Sequence, residues 1–565
     1  MNGKRWNLLS PATHEDTVSS PTLPTLIVQL AHNRGLATPS ELEAFLAADE
    51  RLTADPFLLP DMHQAVARVY RALLTGETIA VYGDFDADGI TATALLVQGL
   101  SSLGGKVLPY IPSRVGEGHG VKWRVLQQLY RDGANLVVTV DCGITGLEPA
   151  RKARRMGLDL VITDHHTPPD DIPPAVAVVD PKLSGSGYTS AELAGVGVAY
   201  KLLQALLLSL GREHHLQGVM DLVALGTVAD MMPLLGENRY LVKEGLRRLN
   251  CSPRLGIREL VARSGLTPGH LASENISWVI APRLNTASRM DHALPSYELL
   301  LTESVDRAQH LADWLEKKNV ERQELTASAV ARAREQVLEE GIQPLLMVGD
   351  ENYPAGIAGL VAGRLSEEFY RPAVVVGVGK RTSSGSCRSI PEFNMIQALN
   401  RCSDLFLQFG GHAQAAGFVI PTRNLPRLRE TLLEMAALDL AGVDLRPRLD
   451  IDAEIALPQL GGNTYETIQK MAPFGQGNPL PTFLTRGVEV VDCRLMGNTG
   501  DHLRLRVRGD GLVWDAVAFR MGSQPPVISS RLDIVYNLEV DRWGGQPTLR
   551  LSLLDFAPTT QDTGR

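Results

Sequence analysis

The chain has 565 residues, 44% hydrophobic and 21% charged, with a formal net charge of −9, a length that implies roughly three or four domains. No apolar run approaches the ~20 residues of a membrane span; the longest candidate, residues 199–210, is broken by Lys201 and Gln204. The acidic balance does not advertise a nucleic-acid binder, although local basic clusters and metal-neutralised carboxylates keep that reading open.

The segment Met1-Asn2-Gly3-Lys4-Arg5-Trp6 is basic without an apolar stretch, so a cytoplasmic location without membrane association is expected. Cys142, Cys251, Cys387, Cys402 and Cys493 are an odd number without a C-x-x-C pair. Reduced, packed thiols are expected rather than disulfides or structural zinc.

In chain order, residues 1–50 read as a helical N-terminal segment. From Glu77, short apolar runs alternate with helix-length stretches. They are Ile79 to Tyr82, Val107 to Ile111, Leu136 to Val140, Leu158 to Ile162 and Val176 to Val179, the pattern of a mostly parallel α/β sheet. Residues 303–340 are dense in Ala, Leu, Glu, Lys and Arg with neither Gly nor Pro, which predicts one long helix or two in series. A second α/β region follows, with strands at Pro344 to Val348 and Ala373 to Val376. After about residue 445 the alternation in Leu503-Arg504-Leu505-Arg506-Val507 predicts an antiparallel barrel.

Gly83-Asp84-Phe85-Asp86-Ala87-Asp88-Gly89 follows the first of these strands. Three converging carboxylates repel unless a cation sits among them. An EF-hand loop shares the D-x-D-x-D-G start, but its twelfth position, a Glu in that motif, is Leu95, and the flanks are strand and helix. A solvated acidic turn is the blander reading. Against it, a second strand ends in Asp141, a third in Asp164-His165-His166, and a helical run closes at Asp230. Ligands of open parallel sheets sit beyond the carboxyl ends of the strands. Carboxylates with one imidazole suit Mn²⁺ or Mg²⁺, and there are donors enough for two ions, the arrangement used for phosphoester hydrolysis. His214-His215, in a polar stretch after no strand, reads as surface.

Asp164-His165-His166, with the Asp-rich loop upstream and Gly226-Thr227-Val228-Ala229-Asp230 downstream, resembles the DHH phosphoesterase superfamily. Within it the likeness is greatest to the bacterial single-strand-specific DNA exonucleases, over nearly the whole chain. By position, the resemblance makes Asp84, Asp86, Asp88, Asp141, His165 and Asp230 ligands of a two-metal Mn²⁺ or Mg²⁺ site, Asp84 in the inner or outer sphere. It makes Asp141 and His166 catalytic, His166 lying against the scissile phosphate. Arg114, Arg283 and Asn285 correspond to positions that hold the DNA backbone and its 5′ terminus. Ser386, Arg388, Gly410, Gly411 and His412 mark the substrate-binding DHH-associated domain. The expected domains are 1–50 helical, 51–235 DHH catalytic, 236–340 helical connector, 341–442 DHH-associated and 443–565 an OB-fold. In the last, Arg504, Arg506 and Arg508 share a strand face, and Trp514, Phe519 and Trp543 are candidate base-stacking platforms.

The resemblance implies a 5′→3′ exonuclease on single-stranded DNA in repair and recombination. It acts as a monomer beside single-strand-binding protein and a DNA helicase. Phe85 replaces the family's usual Tyr, Tyr353-Pro354 its aromatic-His pair, and residues 285–289 its Ala-Gly-rich version. Three alternatives share parts of the pattern. A phosphodiesterase of short or cyclic oligonucleotides would lack the barrel. A non-catalytic scaffold would have lost metal ligands. A pyrophosphatase would need neither the barrel nor the glycine-rich site.

Overall fold

The computed structural model describes residues 3–12, 23–36, 38–114, 116–497, 500–541 and 547–559. Trp543 lies outside them. The chain divides into two compact units: residues 53–232 with 240–445, and residues 1–52 with 233–239 and 446–565.

In the larger unit, five parallel strands, β1 (Thr78–Tyr82), β2 (Lys106–Tyr110), β3 (Ala134–Val140), β4 (Asp159–Thr163) and β5 (Ala177–Val179), form a sheet of order β2-β1-β3-β4-β5. β1, β3 and β4 are apolar on both faces because helices cover both sides. Helix α1 (Ala87–Ser102) packs on α2 (Gly195–Leu210) and α3 (Met220–Ala229). Their near-complete burial explains why these helices are apolar all round rather than amphipathic.

Further on, α4 (Ala281–Met290) leads to α5 (Val305–Glu340), a single 36-residue helix whose N-cap Ser304 accepts a hydrogen bond from Arg307 N. Its buried positions fall in two groups, Ala308 to Asn319 and Ala329 to Val337. The first group packs with α4 and neighbouring helices. The second joins the core of the following sheet and of α6 (Ala355–Phe369). That sheet has order β9-β10-β8-β7-β6. Its strands are β6 (Leu346–Asp350), β7 (Ala373–Gly377), β8 (Thr382–Arg388), β9 (Gln408–Gly411) and β10 (Ala415–Pro421), with only the β6–β7 pair parallel.

The smaller unit is a barrel of β11 (Thr482–Met496), β12 (His502–Gly509), β13 (Leu512–Ala518), β14 (Arg531–Asp541) and β15 (Thr548–Pro558), closed by pairing of β11 with β14. The N-terminal segment belongs to this unit and is not wholly helical. Arg5–Leu8 forms a strand paired in parallel with Arg448–Ile451, and among the described residues of the segment Thr25–Asn33 and Pro39–Ala47 are the α-helices. The strand needed a partner more than 400 residues away, which local periodicity does not reveal. Arg239, fully buried, donates to the carbonyls of Phe45, Ala472 and Pro473 and lies over the Phe45 ring, which ties three segments together.

Among the described residues no helix is long and apolar enough to cross a membrane. All five cysteines are free. The expectation of packed thiols holds for Cys142, Cys387 and Cys402 but not for Cys251, exposed at the C-terminal end of helix Gly236–Cys251.

Candidate active site

Five parallel strands set one row of chain turns at their carboxyl edge, and the acidic groups collect there. Asp86 N-caps α1, its Oδ1 accepting from Asp88 N and Gly89 N at 3.1 Å each. Asp88 accepts from the first amides of α2, Gly195 N at 2.6 Å and Val196 N at 2.8 Å, so the positive end of that helix meets a carboxylate. Asp141 ends β3 in the left-handed region at φ 58°. Asp230 caps the C-terminus of α3. His165 Nε2 lies 3.1 Å from Asp141 Oδ1, 3.6 Å from Asp230 Oδ2 and 4.0 Å from Asp88 Oδ2.

The donor atoms of Asp84, Asp86 and Asp141 lie within 4.8 Å of one another. The same holds for Asp88, His165 and Asp230, and for Asp141, His165 and His166. Asp84 Oδ1, His165 Nδ1 and Asp230 Oδ2 are buried without a hydrogen-bond partner. Burial, with Asp88, Asp86, Asp84 and Asp230 around it, pushes Asp141 far above the usual carboxylate range. Burial and Asp86 raise Asp88 to about 7, and burial with Asp88 and Asp86 raises Asp230 strongly. Such a cluster ionises fully only around a counter-charge. Oxygen donors with one imidazole, orphaned atoms and mutually raised carboxyls together fit a pair of Mn²⁺ or Mg²⁺ ions.

The two histidines have opposite characters. Burial, and then the charge of His166, lowers His165 to about 4, a neutral ring suited to ligation. His166 Nδ1 is 2.7 Å from Asp164 Oδ1. Although burial works against its charge, the Asp164 bond and charge raise His166 to about 9, which favours the imidazolium in the metal-free protein. Asp164 is fixed in turn by Ile144 N, His165 N and His166 N. Against the upward push of burial, its His166 partner keeps it below the usual range.

The expected substrate residues separate into groups. Arg114 lies over the Phe85 ring and donates to Ser288 Oγ at 3.2 Å. Ser386 and Arg388 share a face of β8. Arg388 runs along α6, where a Cβ on Gly359 would meet its guanidinium at 3.5 Å. Gly410 and Gly411 end β9; Gly411 has φ 143°, and a Cβ there would come within 2.4 Å of Ala415 O. His412 closes this hairpin through its N–H to Ala415 O. Burial, and then the charges of His166 and Lys182, lower it, so the hairpin tip is within electrostatic reach of the catalytic edge.

Two of the expected residues are engaged within the chain. The Arg283 guanidinium is held bidentately by Glu316 and donates to Val279 O. Asn285 Oδ1 accepts from Ala87 N at 2.8 Å, so it braces the Asp-rich loop. Arg289, six positions beyond Arg283, was missed. Burial and the charges of Arg114, Arg322 and Arg388 push its pKa down to about 9, the signature of four guanidiniums crowded without enough acid. That concentration of uncompensated positive charge suits a phosphate group. Asp180, after β5, was missed too; it is fully buried with Oδ2 unpartnered, and burial with Asp164 raises it to about 7. Its signal was available: it ends the fifth strand as Asp141 ends the third. Lys182, whose charge reaches His165 and Asp230, follows it.

On the barrel, Arg504, Arg506 and Arg508 are exposed along one face of β12. Arg506 and Arg508 have Asp515 and Glu489 at 3.8 and 3.5 Å. Trp514 is half-buried against the barrel core, and Phe519 is exposed beside His502. His214 and His215 are exposed, as expected.

Three family models match the chain: the DHH family N-terminal domain over residues 78–227, the DHHA1 domain over 339–437 and the RecJ OB domain over 451–555. The single-stranded-DNA-specific exonuclease RecJ of Bacillus subtilis is 35% identical, over 98% of this chain and 71% of the relative. That of Dickeya dadantii is 34% identical over 96% and 98%. The crystal structure of RecJ in complex with Mn²⁺ from Thermus thermophilus superposes with a TM-score of 0.84 at 30% identity, covering 98% of this chain and 80% of that one. Its Mg²⁺ complex gives 0.79 at 28% identity, covering 98% and 79%.

Proposed function

This chain belongs to the RecJ family of single-stranded-DNA-specific exonucleases, and from that premise we propose that it is a Mn²⁺- or Mg²⁺-dependent enzyme that removes nucleotides from the 5′ end of single-stranded DNA. The observation that carries the reading is the donor cluster at the carboxyl edge, whose six family positions, Asp84, Asp86, Asp88, Asp141, His165 and Asp230, are all filled and gathered at one edge. When bound there, the ions supply Lewis acidity toward the scissile phosphate and an acidified water.

The chain's own residues do the rest. Asp164 holds His166 as an imidazolium, and His166 Nε2–H donates its proton to the departing oxygen. Asn285 and the α2 amides fix the carboxylate loop. Arg114, Arg289, Arg322 and Arg388 take the 5′-terminal phosphate, which sets polarity. Ser386, Gly410, Gly411 and His412 line the strand's path. The Arg504, Arg506 and Arg508 face of the barrel supplies positive charge suited to the phosphates of single-stranded DNA. The domain reading is a catalytic DHH region, a helical connector, a DHH-associated region and an OB-fold, and the matches over residues 78–227, 339–437 and 451–555 support the first, third and last of these. Action as a cytoplasmic monomer beside single-strand-binding protein and a helicase in repair fits a single-strand exonuclease with free thiols.

The test is digestion of 5′-phosphorylated single-stranded DNA labelled at its 3′ end, in Mn²⁺, beside blunt duplex and Asp141→Ala. A ladder shortening from the 5′ end, absent with duplex and with the variant, is expected. Binding without cleavage in either metal would refute catalysis, and cleavage of dinucleotides alone would redirect the substrate assignment.

A further inference from the structure

We infer that His119 is a positioning residue that occupies one oxygen of Asp84 and so dedicates the other to the divalent ion, while its ring joins this cradle to Arg114 through Phe85. The inference rests on the metal-centre reading above and assigns a role to a residue outside the carboxylate motifs.

His119 lies in the turn after β2, flanked by Gly118 at φ 68° and Gly120 at φ 80°, so the chain doubles back on both sides of one side chain. The turn is pinned from below. Tyr110 Oη donates to Glu117 Oε2 at 2.6 Å, Tyr82 Oη donates to Gly120 O at 3.3 Å, and Lys122 Nζ donates to His119 O at 2.8 Å. The imidazole is thereby delivered to a fixed point, its Nδ1 2.8 Å from Asp84 Oδ2. A carboxylate that ligates a metal is ionised and only accepts, so with the ion bound Nδ1 carries the proton and donates.

The two partners differ sharply in exposure: the His119 side chain is 69% exposed and that of Asp84 5%. A histidine on a surface carboxylate contributes little. Here the carboxylate is buried, and its other oxygen, Oδ1, has no partner at all. With Oδ2 engaged, Oδ1 is the oxygen left to join Asp86 and Asp141 in the donor set. Without His119 the Asp84 carboxylate would keep only the backbone N–H of Phe85 as a hydrogen-bond partner and would be held less firmly in one orientation.

The ring has a second contact. Its centroid is 4.2 Å from that of Phe85, and Phe85 also carries the Arg114 guanidinium at 4.2 Å. Phe85 is 1% exposed and sits between Asp84 and Asp86 in sequence. His119, Phe85 and Arg114 therefore form one packed file from the metal cradle to the arginine cluster.

Two substitutions in the full-length protein separate the hydrogen bond from the packing. In His119→Asn the amide nitrogen takes the place of Nδ1 and still donates; His119→Phe keeps a ring on Phe85 and cannot donate. Mn²⁺ binding is titrated by the electron paramagnetic resonance of the free ion, a readout independent of turnover. Circular dichroism melts check folding, and kcat and KM are measured on 5′-phosphorylated single strands. Groups that orient metal ligands typically change affinity by about 10–100-fold when removed. The Phe variant is expected to lose about that much affinity for one ion, with kcat recovering at high Mn²⁺ and KM for DNA little changed. The Asn variant is expected to bind Mn²⁺ within a few-fold of wild type. Wild-type Mn²⁺ binding in the Phe variant, or an equal loss in both variants, would overturn this inference alone. Absence of Mn²⁺ binding in the wild type would overturn the metal-centre reading, and this inference with it.

Discussion

Substitution of Gly195 by Ala tests how tightly the metal cradle is packed. A Cβ at this first residue of α2 would lie 2.4 Å from Asp141 Cβ, 2.6 Å from its Oδ1 and 2.7 Å from its Cγ. Carbon atoms in contact sit about 3.5–4.0 Å apart, so the overlap is about 1 Å. Neither side yields without consequence. Gly195 N and Val196 N hold both oxygens of Asp88, and Asp141 is confined at φ 58° at the end of a buried strand. The displacement therefore moves a carboxylate of the metal site whichever partner gives way. Overpacking of this kind costs about 1–3 kcal/mol of stability. A misplacement of about 1 Å at a reacting centre costs about 10²-fold in rate, equivalent to about 2.7 kcal/mol of transition-state stabilisation.

Helix propensity alone predicts the opposite, a gain of up to about 1 kcal/mol for Ala over Gly. Gly197→Ala, two residues on in α2, is the control, since the atoms nearest its Cβ would be those of the Leu193 side chain, from 3.3 Å. The assay is Mn²⁺ titration, single-turnover cleavage of 3′-labelled single strands and a thermal melt for both variants. Loss of Mn²⁺ affinity with a fall in rate of about 10²-fold is expected for Gly195→Ala only. Retention of rate and Mn²⁺ affinity within about threefold in Gly195→Ala would refute the claim that this contact sets the cradle, since threefold is well under 1 kcal/mol.

Three further outcomes follow from the electrostatics. In metal-free protein the His166 ring should titrate near 9 by NMR, and Mg²⁺ should lower that value because it offsets the Asp230 and Asp86 charges that favour the imidazolium; His166→Gln should reduce kcat by about 10²–10⁴-fold while leaving Mn²⁺ affinity largely intact. Asp88 and its neighbours hold protons in the folded state that the unfolded chain releases near pH 4, so metal-free stability should fall as pH rises from about 4 through 7. Mn²⁺ at 100 times its Kd restores about 2.7 kcal/mol per site, and calorimetry should show a larger Mn²⁺-induced rise in melting temperature at pH 8 than at pH 5, with proton release on binding. Arg289→Gln should raise KM for 5′-phosphorylated strands by about tenfold or more, the loss of one charged contact of about 1.5–3 kcal/mol, and change KM much less for 5′-hydroxyl strands; equal effects on both would remove Arg289 from the phosphate pocket.

The sequence alone made the gathering of acidic groups and imidazoles at the carboxyl edge legible. Asp84, Asp86, Asp88, Asp141, His165 and His166 follow the ends of apolar strands, which a parallel sheet sends to one side, while Asp230 is brought there by the end of a buried helix. The long helix and the alternating barrel strands were legible for the same reason: residue period is a local property, and it decides which face of an element is buried. Only the tertiary structure decided what the remaining residues touch. Arg283 and Arg289 stand on one helix, yet Glu316 of α5 holds the first and the arginine cluster surrounds the second. Asn285 braces a loop nearly 200 positions away, Gly195 is small because Asp141 lies against it, and residues 5–8 become a strand only because residues 448–451 offer an edge. These outcomes depend on which side chains meet across long stretches of chain, and the spacing within any one segment carries no record of them.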